Sequence, residues 1–244
     1  MREELHLARM VQEAALHDKT EAPFVRKAVI YQPYSEVSGD VYDFSLTAGA
    51  AFNAFLGDAT GHGVGAAIMT MMVQVALDSI GPDAPIDELL GRLHRLILER
   101  TGDQYVTGCY ARIAPDGELT YSSAGHPPLA FVPRQHGAVL LNGLGGLPLG
   151  LLEASTPCEV GRQRLEPGDR VYLYTDGLVE WADAAEEQFG GARLLKSLSR
   201  GRSLELKESV ALVLGDVRAF AGEAPCPDDL TLIGLEFDPA QESA

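Results

Sequence analysis

The sequence predicts an α+β fold of mainly antiparallel sheets flanked by helices. Two observations lead there. The β-prone segments come in runs instead of alternating one-for-one with helices, which disfavours a doubly wound parallel sheet. The helical segments carry apolar stripes at 3.6-residue spacing and are punctuated by Gly and Pro. The 244 residues suffice for one sizeable domain and are short for two.

The elements follow in order. Glu3 to Leu16 reads as a helix, because Leu7, Met10, Val11 and Ala14 fall at i, i+3, i+4, i+7, and Pro23 lies beyond its end. Val25–Tyr31, Val41–Leu46 and Ala51–Leu56 read as strands. Val64 to Ile80 is a helix that opens just after a Gly-His-Gly loop and stops at Gly81-Pro82. Ile86 to Arg100 is a second helix, with Ile86, Leu89, Leu90, Leu93, Leu96 and Ile97 as its apolar stripe. Gln104–Ile113 and Glu118–Ser122 flank Asp116-Gly117 as a hairpin. Strands are expected at Leu129–Val132, Ala138–Leu141, Cys158–Arg164, Arg170–Tyr174 and Leu230–Phe237, and helices at Arg193–Leu198 and Glu205–Phe220. The stretch Asn142 to Leu151, NGLGGLPLGL, reads either as an ordinary connection or as a substrate-facing flap. With no internal repeat and no low-complexity linker, the expected organisation is an N-terminal linker or regulatory helix (1–22), one domain (23–237) and a disordered tail (238–244).

The net charge of −16 argues against a nucleic-acid partner and against an anionic membrane surface, since both require basic patches. An acidic protein acting on an anionic substrate needs a positive element, and a bound metal would supply one. Met1-Arg2-Glu3-Glu4 is not followed by an apolar signal region, and no segment has the length and apolarity of a membrane span. Cys109, Cys158 and Cys226 are widely spaced and form no C-x-x-C pair, as expected of a reduced cytoplasmic protein.

Four short aspartate motifs carry the chemistry: SGDVYD (38–43), LGDATGHG (56–63), YTDG (174–177) and PDDLT (227–231). Three of them follow or open an apolar, β-prone run, and an Asp at a strand end has a fixed direction and a nearby loop. Several such ends brought together make a carboxylate cluster, which is tolerable only when protons or cations neutralise it. Oxygen-only clusters suit Mg²⁺ and Mn²⁺.

These motifs, with ARMVQEAAL near the start, YSSAGHPP (121–128) and GLPLGL (146–151), resemble the bacterial PP2C-type serine/threonine phosphatases of the stage II sporulation protein E and RsbU class, from about Leu5 to Phe237. The resemblance implies a PP2C-like β-sandwich flanked by helices. It implies two divalent cations, Mn²⁺ or Mg²⁺, bound by Asp40, Asp58, the carbonyl of Ala59, Asp176 and Asp228, with Asp58 and Asp176 central to catalysis. A pair of cations about 3.5–4 Å apart activates a shared water for attack on a phosphoserine or phosphothreonine. For Asp58 the competing structural reading is a cap on the following helix; for Asp176 it is a plain turn residue. Asp229 is the alternative to Asp228, and Asp43 is expected behind the ligands. Gly61 and Gly63 permit close approach of the backbone to a ligand, and Gly177 allows a sharp turn. His62 either orients its loop or moves protons; His126 either packs or contacts substrate.

The implied substrate is a phosphorylated anti-sigma-factor antagonist with a STAS fold, in a partner-switching pathway of sigma-factor regulation. A catalytically inactive binding module that sequesters a STAS or anti-sigma partner is the alternative. The N-terminal helix is expected either to self-associate into a homodimer or to pack near the helices Val64–Ile80 and Ile86–Arg100.

Overall fold

The computed structural model describes residues 2–16, 18–101, 104–141, 144–152 and 158–239. Most of the expected disordered tail, from 240 onward, lies outside the described residues. In chain order the elements are α1 (Arg2–Ala15), β1 (Val25–Gln32), β2 (Asp40–Leu46), β3 (Phe52–Ala59), α2 (Val64–Ile80), α3 (Ile86–Thr101), β4 (Val106–Ile113), β5 (Glu118–Ala124), β6 (Ala130–Val132), β7 (Val139–Leu140), β8 (Gly161–Arg164), β9 (Arg170–Tyr174), α4 (Asp176–Val179), α5 (Gly190–Gly201), α6 (Leu206–Ala221) and β10 (Leu230–Phe237).

These elements fall into two compact units, each built on one sheet. The first comprises Met1–Thr20, Ser35–His126 and Gly143–Arg164, and the second Glu21–Tyr34, Pro127–Asn142 and Leu165–Ala244. Every strand pair is antiparallel, as the runs of β-prone sequence predict.

In the first unit the sheet order is β2-β3-β4-β5-β8. Helices α2 and α3 bury Met69, Val73, Leu90, Leu93 and Ile97 against Val41, Phe55, Ala59, Val106 and Tyr110 on one sheet face. Gly57 and Gly108 face each other across β3 and β4, and the Phe55 ring fills the room their missing side chains leave. The stretch 144–152 is docked rather than loose: Leu149 exchanges backbone hydrogen bonds with Val106, and Gly150 N–H donates to His94 Nδ1 at 3.2 Å.

In the second unit the order is β1-β10-β9-β6-β7. Its core gathers Tyr172, Leu178, Leu194, Leu198, Val213, Val217 and Leu232 under α4, α5 and α6. The one-turn helix α4 was not expected. Four residues are too few to show a helical period, and Asp-Gly reads as a turn.

The N-terminal helix lies beside α2, one of the two arrangements expected of it. Its apolar stripe stays exposed, with Leu7 at 62% and Val11 at 52%, beside an apolar groove of about 740 Å³ that Val64, Ile68, Met72 and Val75 of α2 also line. The residue that turns inward is Gln12, which is 5% exposed. Its Nε2 donates to Ser38 O and Thr70 Oγ1, each at 2.7 Å, and its Oε1 accepts from Ser38 N–H at 3.0 Å. Gln12→Leu therefore strands a buried backbone donor and acceptor, and thermal denaturation is expected to show a loss of about 2–4 kcal/mol. The double change Leu7→Asp with Val11→Asp is expected to stay within about 0.5 kcal/mol of the wild type per site, as exposed substitutions do.

Candidate functional site

The first unit holds two of the motif aspartates side by side. Asp40 opens β2, Asp58 lies one residue from the end of β3, and the two are direct partners in the antiparallel register. Register partners point to one face, so the two carboxylates share the face turned away from α2 and α3. On the same row Asp58 is paired on its other side with Thr107 of β4. Asp40 is buried, while Asp58 and Thr107 are half-buried. The ends of these strands are tied down by the backbone: Ala59 N–H donates to Gly39 O at 2.9 Å, Thr60 N–H donates to Tyr105 O at 3.0 Å, and Asp40 N–H donates to Ser38 Oγ at 3.1 Å.

The segment after Asp58 needs glycine, since Gly61 and Gly63 have φ of 84° and 79°. Gly63 occupies the cap position of α2, and no side chain caps that helix. Exposed His62 sits at the tip of this turn, and Ala59 is buried beneath it. Asp43, an odd number of residues from Asp40, points to the opposite face. There it accepts a hydrogen bond from Gln74 Nε2 of α2 at 2.8 Å.

The second unit brings the other two motifs together. Thr175 and Thr231 clasp the ends of β9 and β10: Thr231 N–H donates to Thr175 Oγ1 at 2.9 Å, and Thr175 N–H donates to Thr231 O at 3.1 Å. Asp176 then opens α4, and Gly177 lies against the carbonyl of the Asp229–Leu230 peptide. A Cβ at Gly177 would sit 2.1 Å from the Asp229 carbonyl oxygen. The two neighbouring aspartates differ in engagement. Asp229 is buried and accepts from Tyr34 N–H at 2.6 Å, whereas Asp228 is exposed and accepts from Asp229 N–H at 2.8 Å.

The electrostatics of this corner are those of crowded carboxylates. Burial, and then the Asp228 charge, push the Asp176 carboxyl above its ordinary value. Glu180, one helical turn beyond Asp176, is also raised, by desolvation first and then by Asp176 and Asp228. Sequence reasoning passed over Glu180 because its i, i+4 relation to Asp176 becomes visible only once α4 is known to be a helix. It passed over Thr107 because cross-strand pairing leaves no local signal.

Among the described residues no three His, Cys, Asp or Glu side chains form a ready cation cage. Each unit instead offers pairs of oxygen ligands: Asp40 with Asp58, and Asp176 with Asp228. Mg²⁺ is held in this manner, through one or two carboxylates with water and substrate phosphate completing its shell. The raised Asp176 carboxyl marks a place where a cation would relieve repulsion. The donor set therefore fits hard divalent cations.

Two antiparallel sheets with flanking helices and strand-end aspartate pairs define the PP2C class of fold. The structure matches the SiaA-PP2C domain of Pseudomonas aeruginosa with a TM-score of 0.85 at 22% identity, covering 97% of this chain and 96% of that one. It also matches the RsbU and RsbW domains of Rv1364c from Mycobacterium tuberculosis, with a TM-score of 0.76 at 26% identity over 89% of this chain and 61% of that one. The family profile described as stage II sporulation protein E (SpoIIE) matches residues 48–238, and the chain belongs to that family. Among curated proteins it is 28% identical over 185 residues to the phosphoserine phosphatase RsbU of Bacillus subtilis (strain 168), covering 74% of this chain and 54% of that protein. It is 28% identical over 184 residues to the phosphoserine phosphatase RsbP of the same organism, covering 72% of this chain and 45% of that protein. The chain thus spans about half the length of these relatives.

Two predictions follow from the second unit. Gly177→Ala must displace backbone, not a flexible side chain, so it is expected to cost about 1–3 kcal/mol in thermal denaturation. A carboxyl whose folded pKa is raised keeps its proton longer when folded than when unfolded. Stability of the metal-free protein then falls as pH rises above the ordinary value of 3.8. In EDTA, Asp176→Asn should melt above the wild type at neutral pH, and the gap should close as pH drops toward 3.8, as differential scanning calorimetry at stepped pH would read.

Proposed function

We propose that this chain is a Mn²⁺- or Mg²⁺-dependent phosphoserine/phosphothreonine phosphatase acting on a phosphorylated protein. The observation that carries the reading is the direct pairing of Asp40 with Asp58 at adjacent strand ends in a chain of the SpoIIE family. Such a pair is repulsive without cations, and retaining it is unfavourable unless it binds them. Asp176 and Asp228 supply further ligands; the crowding of half-buried Asp176 by exposed Asp228 supports that role for Asp228 over Asp229, whose carboxylate serves the Tyr34 backbone.

Divalent cations, when bound, supply a water nucleophile at neutral pH and neutralise charge on the phosphoryl oxygens. The chain's own part is positional. The β2–β3 register fixes the direction of Asp40 and Asp58. The Thr175–Thr231 clasp sets Asp176 beside the Asp228 turn. With a net charge of −16 the protein has little else to attract an anionic phosphate, so affinity for substrate depends on the cations. The curated relatives named as phosphoserine phosphatases support phosphoserine as the substrate group. The RsbU-type kinship supports a STAS-fold anti-sigma-factor antagonist as its carrier and a cytoplasmic setting. Among the described residues no helix is long and apolar enough to cross a membrane.

The test is turnover of a phosphoserine-bearing STAS protein against a generic aryl phosphate, with and without metal. Activity on the phosphoprotein that vanishes in EDTA and returns with Mn²⁺ is the expected result; full activity in EDTA would sink the reading. Within it, Asp58→Asn should weaken Mn²⁺ affinity and turnover by more than about 100-fold, beyond the ~10–100-fold typical of groups behind a ligand. Asp43→Asn keeps an acceptor for Gln74 and should stay within about tenfold of the wild type.

A further inference from the structure

The row of side chains that begins with Asp40 and Asp58 continues to Thr107 and ends on a buried histidine. Thr107 is the register partner of Asp58 on β4, and its Oγ1 lies 2.9 Å from His126 Nδ1. His126 is 7% exposed, on a turn held from several sides. Ser123 Oγ donates to the His126 carbonyl at 3.0 Å, and Gly125 N–H donates to Gly146 O at 2.8 Å. Gly125 has a φ of 65°, and a Cβ there would lie 2.5 Å from the Pro148 ring, so the turn admits glycine alone. The backbone that carries the imidazole is thus held in place, and the ring's Nδ1 meets Thr107 Oγ1.

We propose that His126 and Thr107 are positioning residues for Asp58, with His126 Nδ1–H donating to Thr107 Oγ1 and thereby directing the Thr107 hydroxyl proton toward the Asp58 carboxylate. A hydroxyl has one proton to give. When it accepts from the imidazole, that proton is released for the neighbouring acceptor on the same sheet face. The opposite arrangement would spend the proton on the histidine. Directly opposed residues of an antiparallel pair have Cβ atoms about 4.5–5.5 Å apart, within reach of a threonine hydroxyl and an aspartate. The consequence is a carboxylate held in one rotamer, as the partners behind metal ligands generally do. A packing role for His126 alone gives no reason for a polar partner on the Asp58 row.

This inference rests on the cation-binding reading of Asp58, and the test separates the two. Mn²⁺ affinity is measured by calorimetry on the metal-stripped chain, with melting temperature recorded alongside. Thr107→Val keeps shape and removes the hydroxyl; it should weaken Mn²⁺ binding about 10–100-fold with the melting temperature near the wild type, while Thr107→Ser restores binding. His126→Ala should weaken binding similarly. His126→Asn, which retains a donor, should recover much of it. The double change Thr107→Val with His126→Ala should be no weaker than Thr107→Val alone, because the histidine acts through the hydroxyl. If His126→Ala fails to fold, the Thr107 pair of variants still decides. Wild-type Mn²⁺ binding that Thr107→Val leaves within twofold overturns this proposal alone. Absence of Mn²⁺ binding by the wild type overturns it together with the phosphatase reading.

Discussion

Repulsion between like charges is the constraint around which this chain is arranged. Asp40 and Asp58 stand directly opposite one another, a pairing that costs stability in any sheet. The sheet cannot escape it by slipping. A shift of one residue would carry Asp40 to the α2 side and would expel Val41 and Phe55 from the core beneath α2 and α3. Hydrophobic burial on one face therefore enforces electrostatic stress on the other. Asp43 shows the same logic inverted: its position sends it to the α2 face, where Gln74 satisfies it. Two acidic residues three positions apart thus have opposite fates because the strand period is two.

The second unit reaches an equivalent crowding by a different device. No ladder pairing sets Asp176 beside Asp228. The hydroxyl of Thr175 and the backbone of Thr231 close the ends of β9 and β10, and the absence of a side chain at Gly177 lets the start of α4 lie against the Asp229 carbonyl. Asp229 takes the structural duty, anchored on Tyr34, which leaves Asp228 exposed. A doublet of acidic residues divides its labour between holding the turn and facing the solvent.

Much of this was legible in the sequence. The Gly-His-Gly loop and Gly81-Pro82 bounded α2, the apolar stripe bounded α3 to within a residue, and the strand runs pointed to the antiparallel class. The four aspartate motifs gave the candidate ligands. What stayed hidden depends on long-range pairing or on lengths below a helical period. Thr107 becomes notable only through its register with Asp58, and Glu180 only through α4. The stripe of α1 marks an apolar face and not the contact that anchors the helix. Leu7, Met10 and Val11 have the spacing of a core face, yet the helix docks through Gln12. Periodicity reports where apolar groups lie, and an interface built on a polar anchor leaves no such trace.

That anchor connects the fold's periphery to its carboxylates. The Gln12 amide pairs with both the N–H and the C=O of Ser38, as a neighbouring strand would, and Ser38 Oγ in turn receives the Asp40 N–H. Directional hydrogen bonds tolerate little displacement, whereas an apolar contact slides at low cost. The backbone entering β2 is accordingly held by geometry, and Asp40 inherits that precision. A segment so attached combines an exposed apolar surface with a rigid link to a charged strand end. That rigidity matters because Asp58 stands directly opposite, and a carboxylate free to swing away from a like-charged partner would do so.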